Sequence, residues 1–193
     1  MRIGVLALQG DVPEHIRALE KCGCEPREVK TKADLEDIQG LIVPGGESTT
    51  LGNLLVNFGL VDPIAEAARG GLPMLGTCAG MIMMAKDIVG SQQPRLGVLD
   101  VVVRRNAFGR QVDSFETDLK IKGLRGGPFA AVFIRAPHIE SVGEGVEVLS
   151  EFEGKPVLVR QGHLLASAFH PELTNDLRIH KFFLEIIRQA APG

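Results

Sequence analysis

The chain has 193 residues, 45% of them apolar, and carries 21 basic against 24 acidic side chains for a formal net charge of −3. That length suits one domain with a full core, taken as 1–193, and the composition excludes a disordered chain. No Lys/Arg block marks a nucleic-acid partner and no apolar run has the length to span a bilayer, so neither nucleic acid nor membrane is expected as a partner.

Residues 2–8 form an apolar strand pattern, interrupted by Gln9-Gly10-Asp11 too early for a secretory segment. With three cysteines, an odd number, this predicts a reducing, cytoplasmic setting. An amphipathic helix follows over 13–22, with His15 expected on its solvated face. Cys22-Gly23-Cys24 closes it. No second Cys pair or clustered His completes a ligand set, so this reads as a helix end with Gly23 near the C-cap, not as a metal site. Strand 25–29, a charged segment over 30–37 and a buried strand 40–43 come next, the last ending at Pro44-Gly45-Gly46. Helices are predicted over 48–58 and 63–69, then strand 73–76 and helix 79–86. This alternation predicts an α/β fold with a mostly parallel central sheet flanked by helices.

The second half reads differently. Strands are predicted over 96–104, 115–121, 130–136, 146–152, 156–161 and 164–169, joined by turns such as Arg125-Gly126-Gly127-Pro128 and Glu153-Gly154. Such short connections imply an additional antiparallel portion. Helix 176–190 ends the pattern, with Leu177, Phe182, Phe183, Ile186 and Ile187 on or near one face and His180 solvated.

Three segments carry chemistry. Gly76-Thr77-Cys78-Ala79-Gly80 places a thiol on a tight strand-to-helix turn, with small residues that keep the backbone clear. The helix N-terminus behind Cys78 favours a thiolate and offers N–H groups to an oxyanion. A thiolate nucleophile needs a base and a group that orients it. His170 follows an apolar strand, at the sheet edge where such sites gather, and Glu172 lies close enough to fold back on its ring. His138 could line a pocket, and His163 sits in a hairpin turn. The loop Pro44-Gly45-Gly46-Glu47-Ser48-Thr49 has no Walker lysine, and Glu47 would repel phosphate. Ser48 or Thr49 is the expected cap of the following helix. A carboxylate beside glycine N–H groups suits a ligand with both an amine and a polarised carbonyl, such as an amino acid amide.

Taken together, these segments resemble the class I (triad) glutamine amidotransferases. Ala7-Leu8-Gln9-Gly10, Arg105-Asn106-Ala107-Phe108-Gly109-Arg110-Gln111, Ser114-Phe115-Glu116, Phe133-Ile134-Arg135-Ala136-Pro137 and Val159-Arg160-Gln161-Gly162 narrow the resemblance to the PdxT family, the glutaminase subunits of pyridoxal 5′-phosphate synthase. The resemblance runs over nearly the whole chain. It implies a flavodoxin-like three-layer fold that hydrolyses L-glutamine without a cofactor or metal and passes ammonia to a separate synthase subunit. It further implies that Cys78 is the nucleophile, completed by His170 and Glu172, and that Gly46, Glu47, Ser48, Arg105, Ile134 and Arg135 meet the glutamine. Gly46 and Ala79 would supply the oxyanion hole, and the segments around Gln9-Gly10 and 44–46 would lie near the partner. Three rivals are a stand-alone cysteine hydrolase or redox sensor, a silent binding subunit, and a glutaminase serving a different synthase.

Overall fold

The computed structural model describes residues 1–106 and 114–190, so 107–111 of the Arg105–Gln111 stretch lie outside the described residues. In chain order the elements are β1 (Arg2–Leu6), α1 (Val12–Lys21), β2 (Glu25–Val29), β3 (Gly40–Val43), α2 (Ser48–Asn57), α3 (Val61–Arg69), β4 (Met74–Thr77) and α4 (Ala79–Met84). They continue as β5 (Ala85–Ile88), β6 (Leu99–Arg104), β7 (Ser114–Leu119), β8 (Phe129–Ile134), β9 (His138–Val142), β10 (Glu147–Phe152), β11 (Lys155–Gln161), β12 (Leu164–Ser167) and α5 (Arg178–Ala190).

Seven strands form one sheet in the order β10-β11-β12-β4-β3-β1-β2. The run from β12 to β2 is parallel, while β11 and β10 extend it antiparallel. β3 and β4 are buried along their whole length, as strands covered on both faces require. Gly76 and Thr77 are consecutive on β4 and therefore point to opposite faces. A Cβ on Gly76 would meet Met84 and Gly80 of α4, whereas the Thr77 hydroxyl reaches His15 of α1 at 3.1 Å. Thus α4 and α1 cover opposite faces. α5 shares the face of α1, with Ile187 and Phe183 lying over Gly40 of β3. The result is the three-layer α/β architecture expected from the sequence. A three-stranded sheet β5-β6-β9 and the antiparallel pair β7-β8 supply the extra strands.

Several boundaries differ from the sequence reading. The helix expected over 79–86 stops at Met84, and 85–88 is strand β5. Its last carbonyls are taken from outside: Leu96 N–H donates to Met83 O and Val98 N–H to Met84 O. The same bonds hold 96–98 out of β6, which starts only at Leu99. Strand β9 was not expected; only its first two residues are buried, and the exposed Glu140-Ser141 pair hides its pattern. On α5, Ile179 and Leu184 are buried while Phe182 is half-buried, and Leu177, half-buried, lies just before the helix, so the apolar face is rotated from the predicted one.

Candidate active site

The strand register sets the site. Ser167 of β12 pairs with Thr77 of β4, so the residues just beyond both strands meet at one sheet edge. Cys78 N–H donates to Ser167 O at 2.8 Å, and His170 N–H donates to Val132 O of β8 at 2.8 Å. Beneath His170, Phe169 packs against Phe129 and Phe133 with ring centroids 5.6 and 5.7 Å away, a rigid apolar support.

Cys78 has φ 49° and ψ −103°, a conformation rare for a residue with a side chain. It is held there because α4 presses against the end of β3: any Cβ on Gly80 would overlap the carbonyl of Val43. This is the strained strand-to-helix turn that the Gly-x-Cys-x-Gly spacing predicted. The thiol is nearly buried, and its Sγ lies 3.9 Å from Ile134 O.

His170 Nδ1 donates to Glu172 Oε1 at 2.8 Å and lies 3.2 Å from Asp11 Oδ2. Two carboxylates therefore face one nitrogen, and Nε2 is left for the thiol. Burial works to push the imidazole down, but hydrogen bonds with Asp11, Cys78 and Glu172 outweigh it and push its pKa up to about 12. For Glu172 burial opposes the anion; His15 first and His170 second outweigh that and hold the carboxyl well below the usual carboxylate range. Asp11, His170 and Glu172 present donor atoms within 4.8 Å of one another, a spacing a metal ion could use. The imidazolium already supplies the positive charge between the two acids.

Cys78 and His170 open into a cavity of about 370 Å³, within the range of small-ligand sites. Gly46, Glu47, Ser48, Ala79, Arg105, Ile134 and Arg135 all line it, so every expected site residue except Glu172 reaches the cavity. Glu172 stands behind His170, buried. Ala79 is the first residue of α4, where a helix leaves its N–H unpaired. Gly45 lies against the His170 ring: a Cβ there would sit 2.5 Å from His170 Cε1. Gln9 also lines the cavity, and its Oε1 accepts the Glu47 N–H at 3.0 Å.

The expected cap was Ser48 or Thr49; the structure gives this role to Glu47. Its carboxylate accepts the N–H groups of Thr49 (3.1 Å) and Thr50 (2.7 Å) and the Thr50 hydroxyl, and the Thr50 hydroxyl bond is the largest cause holding its pKa low. Arg105 is also fixed. Its Nη1 donates to Gln93 Oε1 at 2.8 Å and Thr49 Oγ1 at 3.1 Å, and Gln93 is nearly buried. The sequence reading missed Gln93, Asp11 and Thr77.

The other histidines fall out as follows. His15 and His180 were expected in solvent; both are fully buried and bonded to each other at 3.1 Å between Nδ1 and Nε2. His138 is buried at the start of β9, bonded to Glu140 at 2.9 Å and outside the cavity lining. His163 does lie in a hairpin turn, its Nε2 bonded to Ala68 O at 2.7 Å. Cys22 is the C-cap of α1 with Gly23 just after it, and Cys22 and Cys24 are free, half-buried thiols.

A buried thiol, an imidazolium, its carboxylates and a cavity with fixed cations and N–H groups can carry out acyl transfer through a thioester. The SNO glutamine amidotransferase family matches residues 5–189. The pyridoxal 5′-phosphate synthase subunit PdxT of Moorella thermoacetica is 59% identical over 187 residues, covering 97% of this chain and all of that one. The subunit PdxT of Frankia alni is 56% identical over 194 residues, covering 100% of this chain and 98% of its own. Among solved structures, a glutamine amidotransferase superposes with a TM-score of 0.93 at 56% identity, covering 96% of this chain and 98% of that one. PurLQS from Thermotoga maritima shares the fold alone, with a TM-score of 0.68 at 19% identity, covering 98% of this chain and 96% of that one.

Proposed function

The chain belongs to the SNO glutamine amidotransferase family, and from that premise we propose that it is the glutaminase subunit of a pyridoxal 5′-phosphate synthase. It hydrolyses L-glutamine to L-glutamate and ammonia and hands the ammonia to a synthase subunit. The observation that carries this reading is the cavity, in which Cys78, His170, Gly46, Glu47, Arg105 and Arg135 converge within a chain 59% identical to a named synthase subunit. We read 1–193 as a single glutaminase domain. Three free thiols fit a cytoplasmic setting, and no helix among the described residues is long and apolar enough to cross a membrane.

The geometry supports the following chemistry. The Cys78 thiolate attacks the side-chain amide carbon, and the C=O electrons move onto oxygen facing the Ala79 and Gly46 N–H groups. The His170 imidazolium gives its Nε2 proton to nitrogen as the C–N bond breaks and ammonia leaves. Neutral His170 then takes a proton from water attacking the thioester, and the thiolate is restored. Glu172 keeps the ring oriented throughout. Arg105, held by Gln93 and Thr49, is placed for the substrate carboxylate, with Arg135 as a second cation in the lining.

Two experiments test this. Ammonia release from L-glutamine, measured with and without the pyridoxal 5′-phosphate synthase subunit, is expected to rise strongly with the partner. Absence of release in both conditions, with Cys78 still open to alkylation, would move the function to the hydrolase or sensor class. Glu47 separates binding from capping. Glu47→Gln keeps an acceptor for Thr49 or Thr50 but loses the charge, and is expected to raise KM for glutamine with kcat unchanged. Glu47→Ala adds a loss of about 1 kcal/mol of helix stability. A fall in kcat alone would remove Glu47 from substrate binding.

A further inference from the structure

His15 and His180 are fully buried and have no part in the chemistry above, yet they lie directly behind the triad. His15 Nε2 lies 3.1 Å from Thr77 Oγ1 and 3.5 Å from Glu172 Oε2, an oxygen that is buried and has no hydrogen-bond partner among the described residues. On its other side, His15 Nδ1 meets His180 Nε2 at 3.1 Å, the rings crossing at 57°.

The protons in this cluster can be assigned by counting. Thr77 has one hydroxyl proton and two lone pairs. Gly45 N–H, which can only donate, takes one lone pair at 3.1 Å. The hydroxyl proton goes to Glu172 Oε1, 3.5 Å away, because an anionic carboxylate can only accept. The remaining lone pair faces His15 Nε2, which must therefore carry a proton. With that proton on Nε2, His15 accepts at Nδ1, and His180 donates from Nε2. His180 Nδ1 is left as a bare lone pair, in agreement with its lack of a partner. Burial is the largest cause pushing His180 down to about 3, so it carries a single ring proton. Each donor in the chain His180, His15, Thr77 points toward Glu172, and His170 Nδ1–H meets the same carboxylate from the other side.

We propose that His15 is a positioning residue for the triad carboxylate: its Nε2–H braces Glu172 from behind, through the Thr77 hydroxyl and by facing Oε2 at 3.5 Å, with His180 fixing its tautomer. The charged and titratable groups facing His15 are Glu172 and His180, with His170 and Asp11 beyond the carboxylate. Only the activity arm of the test rests on the glutaminase reading.

The test begins with nitrogen-15 shifts of the histidine rings in the wild-type chain at neutral pH. They are expected to show a proton on His15 Nε2; a bare Nε2 would overturn the proposal whether or not the chain releases ammonia. Kinetics follow with His15→Leu, which removes the donor, and His15→Gln, which keeps an N–H near the same place. For His15→Leu, kcat for glutamine hydrolysis should fall about tenfold, the scale of outer hydrogen-bond partners, with KM unchanged. The acid limb of its pH profile should move up by roughly one unit, because the carboxylate loses a donor. The same shift should appear in the pH dependence of Cys78 alkylation, which needs no glutamine. His15→Gln should recover most of both. Equal losses in the two variants, or an unmoved profile in His15→Leu, would reduce His15 to packing. Where either variant fails to fold, the wild-type ring shifts decide alone. A wild-type chain that releases no ammonia would sink the glutaminase reading and leave the shifts and alkylation to judge this one.

Discussion

Cys78→Ala will release no ammonia from glutamine, with or without the synthase partner, and the loss in kcat should be on the order of 10⁶ if it matches the removal of other activated nucleophiles. The substitution deletes one sulfur and keeps a Cβ, so the turn at Cys78 and the contact of Gly80 with β3 persist. The melting temperature should therefore stay close to wild type. No other thiol can substitute. Cys22 and Cys24 precede β2, whereas Cys78 follows β4, and in a parallel sheet those positions lie at opposite edges. Burial also pushes both of those thiols up, away from the reactive thiolate form. Turnover retained in a folded Cys78→Ala chain would end the mechanism.

Glu172→Gln should lower kcat by about 10³–10⁴, toward the scale seen when a triad acid becomes an amide. An amide at this position turns an N–H toward either His170 or the Thr77–His15 side, and both present donors. Asp11 Oδ2, 3.2 Å from His170 Nδ1, remains as a second acceptor, so the ring keeps part of its orientation. Pairing this change with Asp11→Asn should deepen the loss. The pH profile offers a sharper check. His170 is held up to about 12 by Asp11, Cys78 and Glu172, so loss of the Glu172 charge lowers it and brings the alkaline limb to lower pH. Stability moves at the other end. The Glu172 carboxyl is depressed in the folded chain, so its stabilisation is present above about pH 4.3 and lost as pH falls through the folded value. Glu172→Gln should lack that acid-side loss. Unchanged profiles at both ends would mean that Glu172 does not act on the ring.

The sequence made the proposed nucleophile and its proposed base visible because their signals are local. Gly76-Thr77-Cys78-Ala79-Gly80 and Phe169-His170-Pro171-Glu172 are short segments whose chemistry is legible without knowing the fold. The parallel sheet was visible for the same reason, as buried strands alternate with amphipathic helices. What escaped was set by long-range contact. His15 and His180 each occupy a helix position that a hydropathy pattern assigns to water. They are buried because the helices bring them together over β4, where each satisfies the other. Gln93 escaped for the same reason, since its partner Arg105 is defined by the packed loop, not by spacing. Thr77 was quoted only as a neighbour of Cys78, but its hydroxyl joins the glycine loop, the triad acid and α1.

The bond between His15 and His180 spans 165 positions of chain and so bears on how the protein is made. Synthesis runs from the amino end, and α1 leaves the ribosome long before α5 exists. Until then β3 lacks the cover of Ile187 and Phe183, and His15 has no donor for its Nδ1. A contact of this sequence separation also closes late in folding, because the loop entropy must be overcome before it stabilises anything. Cys78, the glycine loop 44–46 and the first helix can therefore be in place on a nascent chain in which the proposed acid, Glu172, is not yet organised. Competence of the site is deferred to the last helix, which places it among the final events of biogenesis.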